Sequence, residues 1–111
     1  SGFSDITALV YFGALDCGAC QSFKADGMKQ VTKSASNHRY RFVKRDISSL
    51  HNLGKQGAFG SYDSMFRAAV KKSGQLAVPT FAVVKDGKVQ SAIAGNWPYA
   101  ITKAKAAVAK N

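Results

Sequence analysis

Two cysteines at the junction of a strand-like run and a helix-like pattern constrain this chain more than any other feature. The apolar run of residues 9–12 is followed by a Cys-x-x-Cys motif at residues 17–20, and the chain has no other cysteine. A thiol at a helix N-terminus lies at the positive end of the peptide dipoles, beside N–H groups without a partner in the helix. Both effects favour the thiolate, and the pKa of such a cysteine falls from about 8.5 into the range of roughly 3.5 to 7.5.

This position predicts different roles for the two sulfurs. Cys17, at the helix start, is the candidate nucleophile. Cys20 follows on the same helical face, from which it can attack the Cys17 sulfur once a mixed disulfide has formed. A structural disulfide across so few residues would constrain little of the unfolded chain. The pair is therefore interpreted as reactive.

Length and hydropathy predict one domain covering residues 1–111, acting as a monomer. The chain has 111 residues, of which 46% are hydrophobic, and this is enough for a core of its own. No apolar run is long enough to cross a membrane, and the N-terminus carries no charged-then-apolar leader. Because the chain begins with Ser1-Gly2, we expect a mature or excised form.

The charge balance is strongly basic. Lysine and arginine total 16 against six acidic residues, all of them aspartate, for a net charge of +10. The basic residues are spread along the chain, with the closest cluster at residues 39–45, and no nucleic-acid-binding motif accompanies them. We interpret them as solvated surface that steers partners electrostatically, and nucleic acid is not an expected partner.

Local patterns predict the order strand, helix, strand, helix, strand, strand, helix. The first strand reads as buried on both faces, and the cations of the second suit an edge strand. Gly27 weakens the first helix, Asp86-Gly87 predicts a tight hairpin turn, and Pro98 suits the first position of a closing helix. The predicted strands are residues 7–12, 40–45, 78–85 and 88–94. The first helix is predicted to end near Ser34, and the second to cover residues 63–72. Residues 34–38 are predicted as a polar turn, and residues 48–60 as a loop.

With these elements in place, the chain resembles the thioredoxin superfamily over nearly its whole length. The resemblance rests on the Cys-x-x-Cys motif after a buried strand, on Val78-Pro79-Thr80 at the head of the next-to-last strand, and on Gly95 after the last strand. It implies an α/β fold with a four-stranded mixed sheet flanked by helices, and an extra helical stretch before the strand that Pro79 opens. It also implies that Cys17 is exposed and that Pro79, opposite it, is in the cis form.

The resemblance also implies functional roles for particular residues. It makes Cys17 and Cys20 catalytic, with no cofactor beyond their redox-active disulfide. Lys44 lies close to the position of the family's relay lysine, although it also reads as a solvated edge residue. Trp97 would flank the substrate groove or pack in the core. The predicted substrate-binding residues are Gly18, Ala19, Val78, Pro79 and Trp97.

Three residues depart from the thioredoxin pattern. Asp16 precedes the motif, where its carboxylate should oppose thiolate formation, and Ala19 replaces the proline within it. Tyr11 stands where thioredoxins carry a buried acid on the first strand, used as a proton relay. The reduction potential of the cysteine pair therefore cannot be carried over from the family, and neither can the proton relay to its second cysteine.

The resemblance implies a thiol–disulfide oxidoreductase whose partners are proteins with thiols or disulfides and a redox partner protein. The direction of exchange stays open, because it depends on the reduction potential relative to the compartment. In having a valine, Val78, directly before the proline, the chain resembles the oxidases of the bacterial envelope. We therefore expect a periplasmic or other extracytoplasmic location, with the cytoplasm as the alternative.

Two other functions stay open at this stage. Cys17 and Cys20 supply half of a possible zinc site, with His38 and His51 as the remaining ligands, although this spacing is not that of a zinc finger. Alternatively, the chain is a thioredoxin-fold interaction module with non-catalytic cysteines, which docks an acidic partner on the basic surface of residues 39–45.

Overall fold

A computed structural model describes residues 6–110 of the chain as a mixed four-stranded sheet flanked by helices. The spatial order of the strands is β2-β1-β3-β4. β2 runs parallel to β1, whereas β3 is antiparallel to both of its neighbours. The predicted architecture and the edge position of the second strand are confirmed. The strands are β1 (Thr7–Ala14), β2 (Arg41–Ile47), β3 (Thr80–Lys85) and β4 (Lys88–Ala94).

The central strand β1 carries aromatic side chains into two cores, one on each face of the sheet. Tyr11 stacks on Phe23 at a centroid distance of 5.3 Å. Phe12 points to the opposite face, since successive strand residues alternate, and lies 5.1 and 5.2 Å from the rings of Phe59 and Phe66. Every residue of β1 except Ala8 is buried, as the apolar run predicted.

The helix that follows the cysteines is longer than predicted and is broken in two. α1 (Gly18–Asp26) and α2 (Met28–His38) meet at Gly27, where the indole of Trp97 occupies the space that a side chain would need. The predicted polar turn at residues 34–38 is wrong, because Val31 and Ala35 extend a buried apolar stripe down α2. The helix ends only at Arg39, in the left-handed conformation with φ of 61°.

The remaining helices are α3 (Asp63–Ser73) and α4 (Trp97–Ala109). α3 ends at Gly74, whose φ of 76° terminates the helix as predicted. α4 begins one residue before Pro98, because the Asn96 side chain accepts a hydrogen bond from the Tyr99 N–H at 3.0 Å. The region predicted as loop, 48–60, also contains a short turn of 3₁₀ helix, Leu50–Asn52.

Four strand boundaries differ from the prediction, and the hairpin does not. β3 begins at Thr80 rather than at residue 78, β1 continues to Ala14, and β2 begins at Arg41 and continues to Ile47. Asp86 and Gly87 have φ of 55° and 78°, the left-handed pair that a tight hairpin turn requires. The chain before Thr80 is thus freed from the sheet and passes beside the cysteines.

Candidate active site

The two cysteines lie where β1 leads into α1, and they form a disulfide. Cys17 is the N-cap residue of α1, and its sulfur accepts a hydrogen bond from the Cys20 N–H at 3.1 Å. This is one of the N–H groups that a helix N-terminus leaves without an intrahelical partner. In the reduced protein the same donor and the helix dipole would stabilise a thiolate at Cys17.

The two sulfurs differ in accessibility, but less than predicted. Cys20 has no exposed surface, and Cys17 is only 4% exposed, so the prediction of an exposed Cys17 is wrong. Its sulfur is enclosed by the Cys20 sulfur, the Cys20 amide and the Val78 carbonyl. The intervening Gly18 and Ala19 are exposed. Of the two cysteines, only Cys17 therefore has any exposed surface.

The segment before β3 forms the second wall of the site. The Val78 carbonyl oxygen lies 3.7 Å from the Cys17 sulfur, and the Val78–Pro79 peptide bond is cis. Thr80 Oγ1 donates to the Ala77 carbonyl at 2.7 Å, and the Gly95 N–H donates to the Pro79 carbonyl at 2.8 Å. Within residues 6–110 no hydrogen bond to the Val78 N–H is found, so this donor is unpaired.

Asp16 ties the cysteine turn to the segment that follows β2. Its carboxylate accepts hydrogen bonds from the Leu50 N–H at 2.7 Å and from Ser49 Oγ at 2.8 Å. These bonds, that to Leu50 first, lower the pKa of Asp16, so the carboxylate stays charged beside Cys17. The sequence indicated the charge but not this tether, because the partners are distant along the chain.

A polar network that the sequence analysis missed lies one helical turn beyond Cys20. The Tyr11 hydroxyl donates to Asp46 Oδ1 at 2.8 Å, and Lys24 Nζ donates to Asp46 Oδ2 at 2.8 Å. Burial, followed by the hydrogen bond to Asp46, raises the pKa of Tyr11 far above its ordinary value, so the hydroxyl is a neutral donor. Cys20 and Lys24 share one face of α1.

Gly13 provides the room for this network. In the β1–β2 register it is opposite Asp46, and a Cβ atom there would overlap the Tyr11 hydroxyl. An isolated glycine in a strand pattern is a signal of close approach, and it was the available sequence indication of the network.

Two predicted site residues lie elsewhere. Lys44 is opposite Tyr11 in the β1–β2 register, but its side chain is exposed, and Lys24 makes the ion pair instead. Trp97 packs against Phe23 and Gly27, at the opposite end of α1 from Cys17. The structure therefore places Cys17, Cys20, Gly18, Ala19, Val78 and Pro79 together, and leaves Lys44 and Trp97 outside that group.

No three His, Cys, Asp or Glu side chains of residues 6–110 are grouped so as to hold a metal ion, so the zinc alternative lacks a ligand set there. In the same part of the chain, no helix is both long enough and apolar enough to span a membrane.

Three exposed leucines lie in the segments that form or contact the cysteine turn. Leu15, two residues before Cys17, is 57% exposed, and Leu76, two residues before Val78, is 56% exposed. Leu50, held by Asp16, is exposed as well. Apolar side chains of this size on a surface indicate contact with a partner when they are grouped at one site.

Comparison with solved structures shows the class of fold. The chain is similar to thioredoxin f from spinach chloroplast in its long form (17% identity, TM-score 0.64, 94% of this chain and 72% of that one). It is also similar to thioredoxin from Trypanosoma brucei brucei (21% identity, TM-score 0.59, 98% and 80%). A third similar structure is the thioredoxin of Fasciola hepatica (25% identity, TM-score 0.52, 96% and 82%).

The chain therefore has a thioredoxin-superfamily fold, which confirms the resemblance drawn from its motifs. No protein-family model and no curated protein sequence matches it. Its further assignment rests on the site itself.

Proposed function

We propose that this protein is a thiol–disulfide oxidoreductase that exchanges disulfides with protein substrates through Cys17 and Cys20. The observation that carries the proposal is the placement of one disulfide sulfur. The Cys17 sulfur caps α1 and lies 3.7 Å from the carbonyl of Val78, whose N–H is unpaired within residues 6–110, whereas Cys20 is fully enclosed. A stabilised thiolate next to an unpaired backbone segment suits attack on, or by, an extended protein chain.

The oxidising direction starts from the disulfide. A substrate thiolate attacks the Cys17 sulfur, a substrate–Cys17 disulfide forms, and the Cys20 thiolate leaves and takes up a proton. A second substrate thiolate then attacks the substrate sulfur of this mixed disulfide and releases Cys17. The substrate loses two electrons and two protons and becomes a disulfide, while the protein becomes a dithiol. In the reducing direction Cys17 attacks first, and Cys20 resolves the intermediate.

Binding of the substrate chain falls to the residues around the Cys17 sulfur. Val78 and Pro79 present the backbone, and the exposed Gly18 and Ala19 leave the approach to the sulfur free of large side chains. Trp97 is proposed to stabilise the fold rather than to contact substrate, since its ring covers Gly27. No part in proton transfer is proposed for the exposed Lys44.

We propose an extracytoplasmic compartment, such as the bacterial periplasm, and a separate redox partner protein. The valine before Pro79 and the absence of any cysteine outside the reactive pair support this proposal. The reduction potential tests the direction. A reduction potential of about −120 to −180 mV, as in oxidising thiol–disulfide oxidoreductases, would favour oxidation of substrates. A potential of about −270 mV would favour their reduction.

The activity is tested by reduction of insulin with dithiothreitol as the electron donor. Cys17→Ser should abolish turnover, and Cys20→Ser should accumulate a mixed disulfide with substrate, visible on non-reducing gels and by mass spectrometry. Unchanged turnover in Cys17→Ser would contradict the proposal. Binding of an acidic partner that survives replacement of both cysteines, in a protein without turnover, would favour the interaction module instead.

A further inference from the structure

A cleft lies in the extra segment between β2 and β3, and Leu76, two residues before Val78, forms part of its wall. It encloses about 450 Å³, which is within the range of roughly 300 to 1,000 Å³ typical of ligand pockets. Its apolar wall consists of Phe59, Phe66, Val70 and Leu76, and its polar rim contains Lys55 and Arg67. We propose that this cleft is a specificity subsite, which takes a large apolar side chain of the substrate protein, with an acidic residue two positions further along the substrate chain.

The cleft borders the chain segment that leads to Val78. Leu76 forms part of its wall and is two residues before Val78, so their Cα atoms are at most about 7 Å apart. An extended substrate segment that pairs with the Val78 backbone would run past Leu76. Since side chains alternate along a strand, the substrate residues two and four positions from the reacting cysteine share one face, and they would reach the cleft and its rim.

The charge of the rim selects the substrate residue two positions from that apolar side chain, which lies on the same face of an extended segment. The charged residues of the cleft lining are two cations, Lys55 and Arg67, and one carboxylate, Asp63. The Asp63 carboxylate already accepts the Gly57 N–H at 3.0 Å and pairs with Arg67 at 2.6 Å. Hydrogen bonds from backbone N–H groups, that of Gly57 first, lower the pKa of Asp63. Even with Asp63 ionised, the two cations leave the rim with a net positive charge. This charge complements an acidic residue and not a basic one.

The large exposed surface of Leu76 supports an external occupant. This leucine is 56% exposed although it borders a buried aromatic pair, Phe59 and Phe66, whose rings lie 4.5 Å apart. Burial of a leucine side chain against a substrate contributes about 1.5 to 3 kcal/mol relative to exposure. The cleft thus recognises a substrate feature separate from the reacting sulfur. This assignment of the substrate class rests on the proposed exchange activity.

The test compares disulfide peptides in steady-state exchange. One peptide carries leucine and aspartate two and four residues from its cysteine, and matched peptides replace leucine by serine or aspartate by lysine, on either side of the cysteine. We expect kcat/KM to be about tenfold or more higher for the leucine–aspartate peptide. Leu76→Ser should bring the leucine-to-serine ratio close to one, and Lys55→Glu, which makes the net charge of the rim negative, should bring the aspartate-to-lysine ratio below one. Lys72→Glu on α3, which lies outside the cleft lining, should leave both ratios unchanged.

Two further measurements separate this inference from the proposed activity. Exchange of the wild type with a small disulfide, bis(2-hydroxyethyl) disulfide, reports the chemistry alone. If that exchange occurs and the peptides are used equally, or if Leu76→Ser keeps the wild-type ratio, the subsite is wrong. Fluorescence anisotropy of the peptides on the Cys17→Ser/Cys20→Ser protein reports binding alone. Leucine-dependent binding without small-disulfide exchange would uphold the cleft and overturn the activity, and absence of both would overturn both.

Discussion

At the scale of single residues, two identical side chains in one helical turn have different surroundings. Cys17 caps α1 and retains a small exposed surface, whereas Cys20 is fully enclosed. Its helix-cap position should also give Cys17 the lower pKa of the two thiols. Thiol–disulfide exchange by one attacking and one resolving sulfur requires this asymmetry.

We expect Cys17 of the reduced protein to be alkylated at least tenfold faster than Cys20 at neutral pH, because both ionisation and access favour it. Labelling with iodoacetamide for short times, followed by peptide mass spectrometry, gives the two rates. The single variants Cys17→Ser and Cys20→Ser serve as controls for each thiol alone. Equal rates would contradict the assigned roles.

Gly13 shows how one missing side chain permits a buried network. Replacement by alanine would drive a methyl group into the Tyr11 hydroxyl and towards Asp46. We expect Gly13→Ala to lower the free energy of unfolding by about 1 to 3 kcal/mol, the usual cost of overpacking. Urea denaturation followed by circular dichroism measures the change.

Gly18→Ala is the matched control for that substitution, since a Cβ atom there meets nothing within 4 Å. Its free energy of unfolding should stay close to that of the wild type. A Gly13→Ala protein as stable as Gly18→Ala would mean that Tyr11 can move aside, and that the Tyr11–Asp46 bond is not fixed.

At the scale of elements, the break between α1 and α2 determines how α4 joins the fold. The indole of Trp97, at the start of α4, fills the space above Gly27 and lies 6.3 Å from the Phe23 ring. A continuous helix with a side chain at this position would exclude that ring. The break therefore connects the cysteine-bearing helix to the C-terminal helix.

We expect Trp97→Ala to lower the free energy of unfolding by about 2 kcal/mol, less than the 3 to 5 kcal/mol of a fully buried tryptophan, because Trp97 is only partly buried. Far-ultraviolet circular dichroism in urea measures it, and Tyr99→Ala, an exposed aromatic on the same helix, is the control. If both variants were equally stable, the packing role would be wrong.

At the scale of the whole molecule, charge couples stability to pH through aspartates that hold loops. Asp16 and Asp63 accept backbone N–H bonds from the segment between β2 and β3, and the pKa of each is lowered in the folded state. A lowered folded-state pKa contributes stability above the unfolded value of about 3.9. That contribution is lost as the pH falls through the lower folded value.

We therefore expect the urea midpoint to be constant near neutral pH and to fall as the pH drops below about 4. The net charge of +10 adds repulsion in the same direction as the carboxylates are protonated. The double variant Asp16→Asn/Asp63→Asn separates the two effects, because it keeps the repulsion and lacks the titrating loop contacts. A pH dependence as steep in the double variant as in the wild type would contradict this account.

Local sequence patterns determined the elements of this protein, because periodicity, capping residues and turn residues act over a few neighbouring positions. The apolar run of β1, the Asp86-Gly87 turn and the cysteines at a helix start are all of this kind. Gly27 was identified as a weak point, but only the ring of Trp97 explains why the helix breaks there and then continues to His38.

Contacts between residues far apart in the chain were decided by the tertiary structure alone. The pairing of Asp46 with Tyr11 and Lys24, the tether from Asp16 to Leu50 and the cleft beside Leu76 all join segments that local patterns do not relate. The enclosure of Cys17 has the same origin, since the Val78 carbonyl that covers its sulfur arrives from a distant strand. A sequence specifies such contacts only through the packing of the whole chain, so the reactive residues were predictable and their surroundings were not.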